Sequence, residues 1–138
     1  MSKLRRYYSE GNVYFITAVT YQRIPVLVEN IDLFWQTIDE LRQEYDFKIV
    51  AWVILPDHFH MIINPFHNNL SDLMKIIKLI FSAKYRSLLK INKGRIRQYR
   101  FWDHVIRNND DMNRHLDYIH YNPVKHHFVS NPFEYPHS

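Results

Sequence analysis

The pair His58 and His60, separated by Phe59 within Pro56-Asp57-His58-Phe59-His60-Met61-Ile62-Ile63, carries the most pointed chemical signal in the chain. A strand has a side-chain period of two, so both imidazoles project from one face while Phe59, Met61 and Ile63 take the other. Two neutral imidazoles on a rigid strand can grip one divalent cation. With an amide oxygen or water they form an open site for a hard or borderline ion such as Mg²⁺ or Mn²⁺, leaving positions for a substrate oxygen. A phosphodiester held there would be polarised for attack. The nucleophile is open at this point: water, Ser71, Ser82 or one of ten tyrosines. A tyrosine on a helix lying over the sheet could present its phenolate, and the resulting phosphotyrosine ester would keep strand cleavage reversible. A bare His-x-His also suits two satisfied sheet histidines, so the reading depends on the elements that position the pair.

Those elements follow from periodicity. Val13 to Thr20 is β-branched and aromatic, a first strand. Asn30 is placed to cap a helix to about Tyr45, with Phe34, Ile38 and Leu41 on its core face. Phe47 to Leu55 is apolar on both alternating sets, which predicts a covered strand interior to its sheet. Pro56-Asp57 breaks the chain before His58 and predicts an antiparallel hairpin with the histidines just past the turn. Ser71 is placed to cap a long helix to about Lys90. Arg100 to Ile106 reads as a short strand, and a last helix runs from about Asp110 to Tyr121. Tyr118 and Asn122, four apart, share a face of that helix, and Pro123 predicts fraying at Asn122. The expected fold is α+β, a central and mainly antiparallel sheet with the histidine strand interior and helices flanking it.

With 138 residues, 46% of them hydrophobic, the chain has enough apolar surface for one domain, residues 1–138, with an arm at 1–12 and a packed tail at 124–138. The formal charge of +4 favours an anionic partner. There is no cysteine, which excludes disulfides, zinc thiolates and thiol nucleophiles, and only two glycines, which excludes a glycine-rich phosphate loop. Neither a signal peptide nor a membrane-length apolar run is present, so the expectation is a soluble, cytoplasmic protein with no membrane association.

Charge is unevenly placed. From Leu73 to Trp102 there are Lys75, Lys78, Lys84, Arg86, Lys90, Lys93, Arg95, Arg97 and Arg100 but no Asp or Glu. Tyr85, Tyr99, Phe101 and Trp102 are interleaved, a mixture suited to phosphates and stacked unpaired bases. Arg5, Arg6, Tyr7 and Tyr8 repeat the pairing in the arm. A solvated basic surface is the competing reading.

Taken together, Arg-Arg-Tyr-Tyr at 5–8, Ala51-Trp52-Val53-Ile54-Leu55-Pro56-Asp57-His58-Phe59-His60, Arg100-Phe101-Trp102-Asp103-His104-Val105-Ile106-Arg107 and Asp117-Tyr118-Ile119-His120-Tyr121-Asn122-Pro123-Val124-Lys125-His126 resemble the HUH single-tyrosine transposases, most closely the REP-associated tyrosine transposases. The resemblance spans nearly the whole chain in the family's order. It implies a ferredoxin-like HUH sheet and a Mg²⁺- or Mn²⁺-dependent transesterase that nicks and rejoins single-stranded, hairpin-bearing DNA through a 5′-phosphotyrosine intermediate. In that scheme Tyr118 is the nucleophile, preferred over Tyr121, and His58, His60 and Asn122 bind the metal. Arg5, Arg6, Tyr7, Tyr8, Lys84, Arg95, Arg97 and Arg100 would hold the DNA. The family contains homodimers and monomers, and the sequence does not choose between them. His127 stands where relatives often carry glycine. The alternative function is a domesticated DNA- or RNA-binding protein with vestigial catalysis.

Overall fold

In the computed structural model, which describes residues 11–89 and 100–138, four strands form one antiparallel sheet. The elements are β1 (Tyr14–Val19), a 3-10 turn (Tyr21–Arg23), α1 (Ile31–Glu44), β2 (Lys48–Ile54), β3 (His58–Asn64), α2 (Leu70–Leu89), β4 (Arg100–Val105), α3 (Asn109–Lys125) and a closing 3-10 turn (Pro132–Glu134). The strand order is β2-β3-β1-β4. With helices between β1 and β2 and between β3 and β4, this is the β-α-β-β-α-β arrangement expected of the ferredoxin-like class. The histidine strand is interior, between β2 and β1.

Strand alternation divides the sheet into two chemically different faces. Phe59, Met61 and Ile63 of β3 meet Ile16 and Ala18 of β1 on one side and pack under α1 and α2. Phe34 of α1 is the pivot of that core, its ring 5.2 Å from Phe59 and 6.5 Å from Phe81. On the other side, Val53, Leu55 and Ile62 pack under Met112 and Ile119 of α3. This second core is smaller and shares its face with the histidines. Gly11 precedes β1 at φ +119, where an added Cβ would meet the Phe66 carbonyl at 3.1 Å, so the bend before the sheet requires glycine.

Several local expectations are corrected. β2 is an edge strand, not an interior one. It reads as apolar on both sets because helices cover both faces, Trp35 of α1 lying against Trp52 on one side and α3 lying on the other. The C-terminal segment takes part of its free edge: Ile54 N–H donates to the His137 carbonyl at 2.8 Å, and Tyr135 O–H donates to the Ile54 carbonyl at 2.6 Å. Asn30 precedes α1 without a side-chain capping bond, because its amide donates instead to the Val26 carbonyl. The N-terminal turn of α2 is served by Asn69, whose Oδ1 accepts from Asp72 N–H, and Ser71 lies inside the helix. α3 does not fray at Asn122 but continues through Pro123 to Lys125. Proline removes only its own N–H from the ladder, and the following bond, His126 N–H to the Asn122 carbonyl at 3.1 Å, is formed. Among the described residues no helix is long and apolar enough to cross a membrane.

Candidate active site

The histidines are held from behind by their Nδ1 atoms. His58 Nδ1 lies 2.7 Å from Asp57 Oδ1, and an ionised carboxylate can only accept, so that nitrogen carries a proton and Nε2 is the atom left to meet a ligand. Burial tends to raise the Asp57 pKa, but hydrogen bonds and charges from His58 and Arg23 outweigh it and hold the carboxyl below its usual range. Arg23 Nε donates to Asp57 Oδ2 at 2.9 Å. The Asp57 carbonyl is also used, accepting from Thr20 N–H and Oγ1, so the residue both fixes the turn and orients the ring.

His60 is held from β1. The register pairs Thr17 with His60, and Thr17 Oγ1 shares a hydrogen bond with His60 Nδ1 at 2.9 Å. Burial, then the nearby His58, His126 and Lys125, push the His60 pKa down to about 3, so the ring is neutral at pH 7, as a metal ligand must be. The His58 and His60 ring centroids are 5.1 Å apart at 81°.

α3 closes the site from above. Its Tyr118 ring lies 5.1 Å from His60 at 84°, and its His126 ring lies 5.2 Å from His58 at 69°. Asn122 stands one helical turn from each, on the same face, so its side chain falls between these two contacts. It is only 1% exposed, and among the described residues neither its Oδ1 nor its Nδ2 has a hydrogen-bond partner. A buried amide left in this state costs free energy unless something else satisfies it. An oxygen donor without a partner among the described residues, on the helix face that meets two imidazoles aimed by their rear nitrogens, fits a divalent cation.

Tyr118 is 38% exposed, open on one side to a substrate. Phe15 meets its ring edge-on at 5.7 Å and stacks on His60 at 5.5 Å, while Lys125 Nζ sits 5.3 Å from the Tyr118 ring centroid. Tyr121 does not turn toward the apolar side. It is 54% exposed, and its ring lies 4.9 Å from that of His120. On β4, Trp102 pairs with Thr17 in register and is 55% exposed, a bare ring beside the site.

The structure therefore brings together His58, His60, Tyr118 and Asn122. Lys84 is elsewhere: it pairs with Glu40 at 2.9 Å between α2 and α1, on the other side of the sheet. Arg100 opens β4 opposite Val19. Arg5, Arg6, Tyr7, Tyr8, Arg95 and Arg97 lie outside the described residues. Sequence reasoning missed Phe15, Thr17, Lys125 and His126 as neighbours of the site. Only the last two carried a signal, the repeat of seven and eight residues from Tyr118 along one helix. His104, Asp111 and His115 were also missed as a group; they place one ligand atom each within 4.8 Å of one another, a His/Asp cluster capable of coordinating a metal ion.

This combination of a split β-α-β sheet, an imidazole pair on its inner strand and an exposed tyrosine on the helix above is that of a single-tyrosine transposase. Residues 9–121 match the family described as "Transposase IS200 like". The chain belongs to the HUH single-tyrosine transposase family, among its REP-associated members. It is 36% identical over 144 residues to the REP-associated tyrosine transposase of Escherichia coli K12, covering 100% of this chain and 82% of that protein. A Haemophilus influenzae Rd protein assigned to the same group is 36% identical over 149 residues, covering 100% of this chain and 85% of the relative. A solved structure of a REP-associated tyrosine transposase bound to a REP hairpin superposes with a TM-score of 0.79 at 33% identity, over 99% of this chain and 81% of that one. A Deinococcus radiodurans R1 structure, at TM-score 0.51 and 18% identity over 78% of this chain and 87% of that one, shares the fold.

Proposed function

We propose that this protein is a metal-dependent transesterase that nicks and rejoins single-stranded DNA next to a hairpin, with Tyr118 as the nucleophile. The observation that carries this reading is the buried Asn122 amide, without a partner among the described residues and flanked one turn either way by Tyr118 against His60 and His126 against His58. His58, His60 and Asn122 would hold Mg²⁺ or Mn²⁺, which would supply Lewis-acid polarisation of the scissile phosphate. Tyr118 Oη attacks phosphorus, the new P–O bond forms as the P–O3′ bond breaks, the phenolic proton goes to solvent and the 3′-oxygen takes up a proton. The products are a 5′-phosphotyrosine ester and a free 3′-OH, and attack by a 3′-OH on that ester reverses the reaction. Lys125 places a positive charge beside the tyrosine ring where the anionic backbone must approach.

The hairpin substrate is inferred from the relative whose structure holds one. In this reading residues 1–138 act as one domain. The arm residues Arg5, Arg6, Tyr7 and Tyr8 and the basic residues Arg95, Arg97 and Arg100 grip the strand, with Trp102 offering a ring for base stacking. Incubation of the protein with labelled hairpin oligonucleotides and Mg²⁺ or Mn²⁺ should yield a covalent adduct stable in SDS, absent from Tyr118→Phe. Equal adduct in Tyr118→Phe would refute the nucleophile. Tight, salt-dependent binding without adduct in any metal would indicate the binding-only alternative, and cleavage without adduct would indicate a water nucleophile.

A further inference from the structure

We infer that His104, Asp111 and His115 form a second cation site, independent of the imidazole pair on β3 and suited to zinc-type ions rather than Mg²⁺. His104 Nε2 lies 2.9 Å from Asp111 Oδ2 and His115 Nδ1 lies 3.2 Å from Asp111 Oδ1, and the two imidazoles stack at 4.8 Å and 24°. One ligand atom from each of the three residues falls within 4.8 Å of the others, close enough for one ion at bonds of about 2.0–2.2 Å after small adjustments. The carboxylate is buried while His104 is partly open to solvent, so an ion has an entry path and room for water ligands.

The remaining groups around Asp111 hold the carboxylate in place independently of any ion. Arg107 N–H donates to Oδ2 at 3.0 Å, Arg114 Nη2 donates to Oδ1 at 3.3 Å, and His115 Nδ1 also lies 2.8 Å from the Asp111 carbonyl. Before an ion binds, His104 N–H donates to the carboxylate and His115 N–H to the Asp111 carbonyl. On binding, each ring moves its proton to the other nitrogen and offers the freed lone pair. Two imidazoles and one carboxylate form a borderline donor set that favours Zn²⁺, Co²⁺ or Ni²⁺, whereas Mg²⁺ prefers oxygen ligands.

The location gives the site a consequence. His104 is on edge strand β4, and Asp111 and His115 are on the first turns of α3, so an ion there ties the two together. His115 is three residues before Tyr118, and Phe15, which touches His115 at 4.5 Å, also touches Tyr118 and His60. A bound ion would thus fasten the helix that carries the tyrosine without using His58, His60 or Asn122.

The test is Zn²⁺ titration calorimetry on the full chain in millimolar Mg²⁺. The His58→Ala/His60→Ala variant should retain one Zn²⁺ equivalent. Adding His104→Gln and His115→Gln, which keep a donor to Asp111 but remove the imidazoles, should weaken that binding about 100-fold or more. Unchanged Zn²⁺ affinity after the glutamine substitutions, or no Zn²⁺ binding by the His58→Ala/His60→Ala protein, would overturn the site. Should the glutamine variant fail to fold by circular dichroism, histidine NMR signals of the parent chain decide. The His104 and His115 signals must shift on the first Zn²⁺ equivalent beyond that taken by the β3 pair, and their failure to shift would equally overturn the proposal.

Discussion

Asn122→Leu should make the metal-free protein more stable while destroying its chemistry. Leucine has the same number and branching of side-chain heavy atoms as asparagine, so it can fill the same space under α3 without opening a cavity. What it removes is an amide that is 1% exposed with both polar atoms unpaired among the described residues. Burial of such a group without hydrogen bonds costs about 1–3 kcal/mol on protein scales. Leucine is also the better helix former, adding a few tenths of a kcal/mol within the overall spread of about 0.7 kcal/mol. For a chain of 138 residues each kcal/mol moves Tm by roughly 3–5 °C, so the middle of the range predicts a rise of about 5–10 °C in chelator. In Mg²⁺ or Mn²⁺ the order should narrow or invert, because a cation at 100 times its Kd stabilises the parent by about 2.7 kcal/mol and the variant by much less. The assay is thermal unfolding with and without metal, beside the adduct gel, where the variant should lose about 100-fold or more. A variant that melts at or below the parent in chelator would show that the amide is satisfied in the free protein. That result would remove the main argument for its role as a ligand.

Asp57→Asn should leave the fold intact but weaken Mn²⁺ binding about 10–100-fold by calorimetry, since the carboxylate no longer fixes the His58 tautomer. Tyr135→Phe should cost about 0.5–1.5 kcal/mol in denaturant unfolding by leaving the Ile54 carbonyl without its side-chain donor. Burial raises the Tyr135 pKa from 10.0 to about 12, so between these values the folded chain keeps a proton that the unfolded chain loses. Stability contributed by Tyr135 is therefore full below pH 10 and falls as pH rises through 12, and Tyr135→Phe should flatten that alkaline slope. His127 sits at φ +64, the left-handed region that favours glycine, so His127→Gly should stabilise by about 0.5–1 kcal/mol after the entropic cost of glycine, measured by chemical denaturation.

The parts of the fold legible in the sequence are those set by short-range patterns. The strand alternation at 58–63, the Pro56-Asp57 break and the helical spacing gave the hairpin and the face shared by Tyr118 and Asn122, while the interior position of β3 was expected only once the family resemblance stood beside them. The edge position of β2 was hidden because coverage by Trp35 on one face and α3 on the other mimics the pattern of a central strand. Val50 adds a bulge between Ile49 and Ala51 that local sequence did not announce. Thr17 and Phe15 reach the site only through the β1–β3 register, a long-range pairing with no local signature. His104 meets Asp111 across a strand end and a helix cap, a pairing with no local signature, and the four-residue step from Asp111 to His115 was not singled out beforehand. The glycine that relatives carry at position 127 was noted as a departure of this chain and not as a backbone requirement, which the left-handed φ of +64 at His127 now supplies.

The uninterrupted passage of α3 through Pro123 turns chain length into a functional variable. Along a continuous helix each added or removed residue rotates everything beyond it by about 100° and shifts it by about 1.5 Å. One residue gained between His115 and Tyr118 would swing the phenol off His60, and one gained between Tyr118 and Asn122 would separate nucleophile from amide. The loop at Arg107-Asn108 and the segment after His127 can change length without altering this spacing. Insertions and deletions among descendants of this chain should therefore collect at those two places and stop at the borders of the helix, whatever substitutions its outer face accepts.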